Sequence, residues 1–163
     1  MRDDSLRRLT LTAIVASVVM VATMFLKVPT PTGYVHLGDG VIFAASLAFG
    51  PILGGLSGAV GSAMADVLSG YGMWAPWTFF IKGGAGVIVG LAGNGHGRSI
   101  RLTGMVAAAV WIIVGYAIGT AQLYGPAAVL SEILGNIVQT GSGILIGIYL
   151  GPVLKNAVGR KPW

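Results

Sequence analysis

Four ionisable side chains lie inside apolar stretches of the sequence: Asp39, Asp66, Lys82 and Glu132. A charged group at membrane depth costs about 3 kcal/mol or more unless it is paired or hydrated, so such residues indicate a functional site or a structural ion pair. We expect Asp66 and Lys82 to tie two helices together as an ion pair, to contact a ligand, or to do both. Asp39 is expected to cap the start of a helix.

A row of polar residues occupies one predicted helix. Glu132, Asn136 and Gln139 recur at spacings that place them on a single helical face. In lipid such a face must point into the protein, where its side chains either hydrogen-bond to neighbouring helices or line a polar cavity. The presence of a carboxylate among three consecutive polar positions favours the cavity.

Aromatic and imidazole side chains lie in the predicted loops near these residues. Tyr34 and His36 belong to the stretch PTGYVHLGDG at 31–40, and Trp74 and Trp77 flank a later loop. Tyr and Trp often form a belt at the membrane interface, and this interpretation stands beside stacking on a flat ligand. His36 is expected to have a backbone partner.

The composition indicates that these residues are held in a membrane. Of 163 residues, 55% are hydrophobic and only 9% are charged, against about a quarter charged in soluble domains. A hydrocarbon core about 30 Å thick takes roughly 20 helical residues to cross. We therefore predict an all-α integral membrane protein, a single domain over 1–163 with six transmembrane helices in one compact bundle. Their predicted ranges are 9–26, 41–49, 52–70, 76–93, 102–121 and 126–150.

The basic residues predict the orientation of this bundle. Short cytoplasmic segments of membrane proteins carry an excess of Lys and Arg. With six spans, the basic N-terminal tail, the loop between the fourth and fifth helices and the basic C-terminal tail all fall on one side. Both termini are therefore predicted to be cytoplasmic, and the four ionisable residues to lie in the outer half of the membrane.

Several classes of site have no support in the sequence. There is no Cys, which excludes disulfides and thiolate metal sites. A phosphate-binding loop for ATP, an HExxH zinc motif and a nucleophilic serine elbow are all missing. We expect no catalytic residues, metal, cofactor or nucleic-acid partner. An intramembrane enzyme that uses Asp66, Lys82 and Glu132 for acid-base chemistry remains an alternative, as does a structural membrane protein.

Residues 34–90 carry a set of motifs in a characteristic order. The motifs are HLGD at 36–39, the Gly50-Pro51 turn, GSAMADVLSGY at 61–71 and WAPWTFFIKG at 74–83. As a set they resemble the S components, or substrate-binding subunits, of energy-coupling-factor vitamin transporters, specifically the riboflavin-type S component family.

The resemblance implies a six-helix S component in the cell membrane of a prokaryote that captures a water-soluble vitamin from outside. It also implies partners, namely a transmembrane coupling subunit and two ATPase subunits, with which the vitamin is delivered inward. The first external loop would act as a lid. Small residues on the first helix would contact the coupling subunit, here Thr12, Ala13, Ala16 and Ser17.

The predicted ligand-binding residues combine a cation, carboxylates, amides and rings: Tyr34, His36, Asp39, Asp66, Trp74, Trp77, Lys82, Glu132, Asn136 and Gln139. This combination suits a small hydroxylated heteroaromatic compound, because each ring hydroxyl and nitrogen must find a partner. A pyridoxine-like or hydroxymethyl-pyrimidine-like ligand is favoured, and riboflavin, which the family label suggests, is the alternative.

Overall fold

The computed structural model describes residues 2–93 and 97–158. Within these ranges the chain forms six α-helices, a short β-hairpin and one 3₁₀ turn at Pro126–Ala128. The helices are α1 Arg2–Phe25, α2 Gly38–Phe49, α3 Pro51–Leu68, α4 Ala75–Gly93, α5 Arg98–Leu123 and α6 Val129–Val158, and the strands are β1 Lys27–Pro29 and β2 Tyr34–His36. The predicted all-α class is confirmed.

The second helix is shorter than the others. Among the described residues, five helices are long and apolar enough to cross a membrane, whereas α2 has 12 residues, which is about 18 Å of helix. A hydrocarbon core measures about 30 Å, so the prediction of six complete spans is supported for five helices and stays a prediction for α2. Nine of the twelve residues of α2 are buried, and α2 contacts α1, α3, α4 and α6. It is the central helix of the bundle in the sense that it packs against four of the five longer helices.

The predicted helix boundaries are accurate where glycine and proline enforce a turn. Gly50 has a positive φ of 90°, and Pro51 occupies the first turn of α3, where its missing N–H is no loss. At other ends the prediction is wrong, since α5 already begins at Arg98 and α6 continues through Pro152 to Val158. The predicted loop before α5 lies partly outside the described residues, at 94–96.

The predicted loop at 31–40 contains a strand. β1 and β2 pair in antiparallel register, with Lys27 opposite His36. The turn between them is closed by a hydrogen bond from the Thr30 N–H to the Gly33 carbonyl, 2.9 Å, and by one from the Gly33 N–H to Thr30 Oγ1, 3.1 Å. Strands of three residues beside prolines are too short for a periodic signal, so sequence patterning missed the hairpin.

Close backbone contact joins α3 to α4, as the glycines of these helices predict. A Cβ added at Gly86 would lie 2.5 Å from the Gly54 carbonyl oxygen. This contact fixes the end of α3 relative to the start of α4, and therefore the position of Asp66 relative to Thr78. The hairpin and the start of α6 lie at this same end, so both described ends of the chain lie at the opposite end.

A buried ion pair connects the central helix to α4. Lys82 Nζ lies 2.6 Å from Asp39 Oδ1, and both side chains are fully buried. The second carboxylate oxygen of Asp39 accepts a hydrogen bond from Gln139 Nε2, 2.9 Å. Three helices, α2, α4 and α6, are therefore joined through one carboxylate.

Two predictions about these ionisable residues are wrong. The expected partner of Lys82 was Asp66, but α2 lies close enough to α4 to bring Asp39 to the ammonium group instead. Asp39 does not cap α2 either, because the N-cap position is Leu37 and has no side-chain capping bond. The carboxylate is turned inward to the charge of Lys82, which is the stronger partner in a dry interior.

We predict that Gly86→Ala lowers the free energy of unfolding by about 1 to 3 kcal/mol, because the α4 backbone must move away from α3. Thermal unfolding of the detergent-solubilised protein measures this change. Gly141→Ala is the matched control, since apart from its chain neighbours and the backbone of its own helix nothing lies within 4 Å of the added Cβ, and Ala is the better helix former. Equal losses in both variants would contradict the close α3–α4 contact.

Lys82→Met is predicted to lower the free energy of unfolding by about 3 to 5 kcal/mol, because it leaves the Asp39 carboxylate buried without its counter-charge. Adding Asp39→Asn removes that charge and should recover much of the loss. The same thermal unfolding measurement compares the single and double variants. A double variant no more stable than Lys82→Met would argue against the ion pair as the cause.

Candidate functional site

Gln139 connects the buried ion pair to the hairpin above it. Gln139 donates from Nε2 to Asp39, and its Oε1 accepts a hydrogen bond from the backbone N–H of His36, 3.0 Å. The Nδ1 of His36 in turn accepts from the N–H of Gly38, 3.0 Å, which is the backbone partner that the sequence predicts. These bonds attach β2 to the first turn of α2 and to α6.

The imidazole of His36 is uncharged in this position. His36 lies in β2, outside the membrane-spanning helices, and its side chain is buried. This burial, together with the nearby positive charge of Lys82, lowers the pKa of His36 to about 3. A neutral ring keeps Nδ1 free to accept the Gly38 bond.

The hairpin is tied down by its polar side chains. Tyr34 donates its hydroxyl proton to Asp66 on α3, with an O···O distance of 2.6 Å, and Thr32 donates to Glu132 on α6, 2.5 Å. Trp74, next to α4, donates its indole N–H to the Thr32 carbonyl, 3.1 Å. Burial and the Asp66 charge raise the pKa of Tyr34 well above its ordinary range, so the phenol remains a donor.

A small cavity lies beneath the hairpin. Its lining comes from the hairpin, α3, α4, α5 and α6, and comprises Thr32, Gly33, Tyr34, His36, Asp66, Trp74, Thr78, Tyr116, Glu132, Asn136 and Gln139. The cavity measures about 30 Å³, which is room for a few water molecules, whereas small-molecule sites span about 300 to 1,000 Å³. The closed cavity is therefore too small for an organic ligand unless its lining rearranges.

The cavity offers both polar and aromatic surfaces. Asp66 Oδ2 is buried and has no hydrogen-bond partner among the described residues. Asn136 donates to Glu132 Oε1, 2.7 Å, so an amide and a carboxylate lie side by side. The ring centroids of Trp74 and Tyr116 are 5.5 Å apart. A ring with hydroxyl or N–H donors finds acceptors and flat partners here.

The structure gathers most of the predicted site residues and separates one. Seven of the predicted residues line the cavity, namely Tyr34, His36, Asp66, Trp74, Glu132, Asn136 and Gln139. Asp39 and Lys82 lie below them, connected through Gln139. Trp77 instead borders an apolar groove with Phe80 and Trp111 on the outer side of α4 and α5.

Sequence reasoning missed four lining residues, Thr32, Gly33, Thr78 and Tyr116. A signal for one of them was present, because Thr78 lies midway between Trp74 and Lys82 at helical spacing and so shares their face. Its hydroxyl and that of Tyr116 are 3.0 Å apart. Thr32 and Gly33 carried no signal, since they enter the cavity only through the unpredicted hairpin.

The small residues of α1 do not share one environment. Ala16 is buried in the bundle, and its carbonyl lies against Gly61 of α3. Thr12 is partly buried, whereas Ala13 and Ser17 are exposed. Of the four predicted docking residues, Ala13 and Ser17 therefore remain fully open to a neighbouring helix.

Metal chemistry finds no ligand set in the part of the chain that the structure describes. No group of three or more His, Asp or Glu side chains is arranged there to hold an ion. The polar groups of the cavity are distributed around a space at one end of the bundle.

Comparison with known proteins identifies relatives. The chain is 43% identical over 146 residues to a protein of Pyrococcus woesei described as "Uncharacterized protein in gap 3'region", covering 86% of this chain and 97% of that protein. It is 39% identical over 74 residues to the UPF0397 protein of Streptococcus pneumoniae strain Hungary19A-6, covering 45% of this chain and 40% of that protein.

A family comparison covers nearly the whole chain. The family described as "ECF-type riboflavin transporter, S component" matches residues 3–156, and the streptococcal relatives belong to the same family. Its members are substrate-binding subunits of transporters and not enzymes. The chain therefore belongs to the ECF-type riboflavin transporter S component family.

Proposed function

We propose that this S component binds a small water-soluble vitamin or vitamin precursor in the cavity beneath the hairpin. The observation that carries the proposal is the convergence of carboxylates, amides and hydroxyls from five elements at one end of an otherwise apolar bundle. Polar groups are costly at membrane depth and are retained there chiefly where they act on a ligand or an ion. Ligand capture accounts for this arrangement.

The ligand that these groups fit is a hydroxylated heteroaromatic ring. The unpartnered oxygen of Asp66 accepts a hydrogen bond from a ring substituent, and Trp74 and Tyr116 supply aromatic faces. The few polar groups and the two aromatic rings of the lining suit a single ring, pyridoxine-like or hydroxymethyl-pyrimidine-like. Riboflavin remains the second candidate because of the family description.

Delivery across the membrane requires partners. The sequence has no ATP-binding motif, and S components act with a coupling subunit and ATPases. We propose that a transmembrane coupling subunit docks on the exposed α1 face around Ala13 and Ser17, with Thr12 and Ala16 at its inner edge. In this arrangement both termini are cytoplasmic in a prokaryotic cell membrane, and the hairpin faces outward as a lid.

Native mass spectrometry of the gently purified protein, followed by extraction of the bound compound, tests the proposal. One vitamin-sized aromatic compound per chain is the expected result. Pyridoxine, hydroxymethyl-pyrimidine, thiamine and riboflavin are then titrated against the emptied protein. Turnover of the compound without partners would favour the enzyme alternative, and the lack of saturable binding to all four would favour a structural role.

Asn136→Leu is predicted to weaken binding of the identified vitamin about tenfold or more, because Asn136 orients Glu132 and an unsatisfied carboxylate costs roughly 1 to 3 kcal/mol. Equilibrium titration measures the dissociation constant. Val138→Leu, on the exposed face of the same helix, should bind like the unsubstituted protein. If Asn136→Leu bound the vitamin with unchanged affinity, the polar face of α6 would not be part of the binding site.

The neutral imidazole of His36 predicts a pH dependence of stability. In the unfolded chain His titrates near pH 6.5, whereas folding lowers its pKa to about 3. As the pH falls below 6.5, His36 becomes protonated in the unfolded chain but stays neutral in the folded protein. The free energy of unfolding therefore decreases until about pH 3. At pH 5 the free energy of unfolding is lower than at neutral pH by about 2 kcal/mol because of this one group.

Thermal unfolding between pH 7 and pH 4 measures this effect. His36→Gln should remove that part of the pH dependence, while His96→Gln, at the other histidine of the chain, should preserve it. An identical pH profile for His36→Gln and the unsubstituted protein would contradict a buried neutral His36.

A further inference from the structure

A second cavity lies at the opposite end of the bundle, between α2, the start of α5 and the end of α6. It measures about 390 Å³ and is separate from the cavity beneath the hairpin, with which it shares no lining residue. Its existence depends on the extension of α6 beyond the predicted stop, because Pro152 and Lys155 form part of its wall.

Three cationic side chains border this second cavity. Arg98 and Arg101 come from the first turn of α5, and Lys155 comes from the last turns of α6. Over residues 2–93 and 97–158 none of the three forms an ion pair with a carboxylate; the pair recorded there joins Lys82 to Asp39. Arg98 is exposed, and Arg101 and Lys155 are partly buried. The three positive charges therefore gather at the rim of the cavity without a carboxylate partner among the described residues.

Two further features of this corner favour an anion. The Nε of Arg101 is buried and has no hydrogen-bond partner within the described part of the chain. In addition, the N-cap residue of α5 is Gly97, which provides no side-chain cap, so the first amides of this helix keep their partial positive charge. A bound phosphate would satisfy both the guanidinium and the helix end.

The rest of the cavity is apolar and runs along the helices. Leu47, Leu102, Met105 and Ile148 supply hydrocarbon walls. Arg98 and Met105 are two turns apart on α5, a distance of about 10 Å, so the cavity extends from the end of a spanning helix into the depth of its apolar segment. A free inorganic anion would use only the cationic rim and leave these walls without a partner.

We propose that this cavity binds one anionic phospholipid of the surrounding leaflet. Arg98, Arg101 and Lys155 hold its phosphate, and one acyl chain lies between α5 and α6 against Leu102 and Ile148. The charge of the rim and the apolar walls are complementary to the two parts of such a lipid, at the depths where each part lies in a bilayer. This site is independent of the vitamin cavity.

Native mass spectrometry of the delipidated full-length protein, titrated with phosphatidylglycerol or phosphatidylcholine in mixed micelles, tests the site. The expected result is one phosphatidylglycerol per chain, bound at least tenfold more tightly than phosphatidylcholine. Arg101→Gln combined with Lys155→Gln should abolish this preference. Arg7→Gln combined with Arg8→Gln, which removes the same charge from α1, should preserve it.

Several results would overturn the proposal. Equal retention of the two lipids, or equal loss in both double variants, would indicate general attraction to a basic protein. Competition by inorganic phosphate or glycerol phosphate as effective as that by phosphatidylglycerol would indicate a free-anion site.

Two further variants protect the test against a folding defect. Arg101→Lys combined with Lys155→Arg retains both charges and should retain the lipid. Leu102→Glu keeps all three cations, alters an exposed position and places a carboxylate at the wall, so it should release the lipid. Retention by Leu102→Glu would contradict an acyl chain beside α5.

Discussion

The architecture depends on one buried carboxylate. Asp39 meets the ammonium of Lys82 with one oxygen and the amide of Gln139 with the other, so the charge that would be most costly in the bundle has its partners before any ligand arrives. Because Gln139 also accepts the His36 N–H, the same network positions the hairpin. The polar cavity therefore lies above a set of side chains, Asp39, Lys82 and Gln139, whose charges and hydrogen bonds are already satisfied by one another.

Small residues allow the helices that carry these side chains to pack closely. The short α2 packs closely against α6, because a Cβ added at Gly143 or Gly147 would lie 2.9 Å from the Cβ of Asp39 or Phe43. The α3 and α4 backbones meet in the same way at Gly54 and Gly86. In lipid, close packing and interhelical hydrogen bonds replace the hydrophobic effect as the forces between helices. Backbone contact therefore holds α3 against α4, and side-chain hydrogen bonds hold α2 to α4 and α6.

Most of the fold was predictable from the sequence, because apolar runs and the Gly50-Pro51 turn are local signals. The polar face of α6 was likewise legible from spacing alone. The partner of Lys82 was not, since spacing gives depth in a membrane but not the identity of the facing helix. The hairpin also escaped prediction, because its stability comes from side-chain bonds to residues such as Glu132, about a hundred positions away.

The hairpin is held by a few hydrogen bonds and not by a hydrophobic core of its own, which has a kinetic consequence. Segments attached in this way open without unfolding the whole protein. If entry to the cavity requires such opening, the apparent dissociation constant exceeds the intrinsic one by the inverse of the open fraction. A closed hairpin then slows both the association and the dissociation of the ligand. Tight binding by this fold would therefore come from a slow dissociation rate and not from a fast association rate.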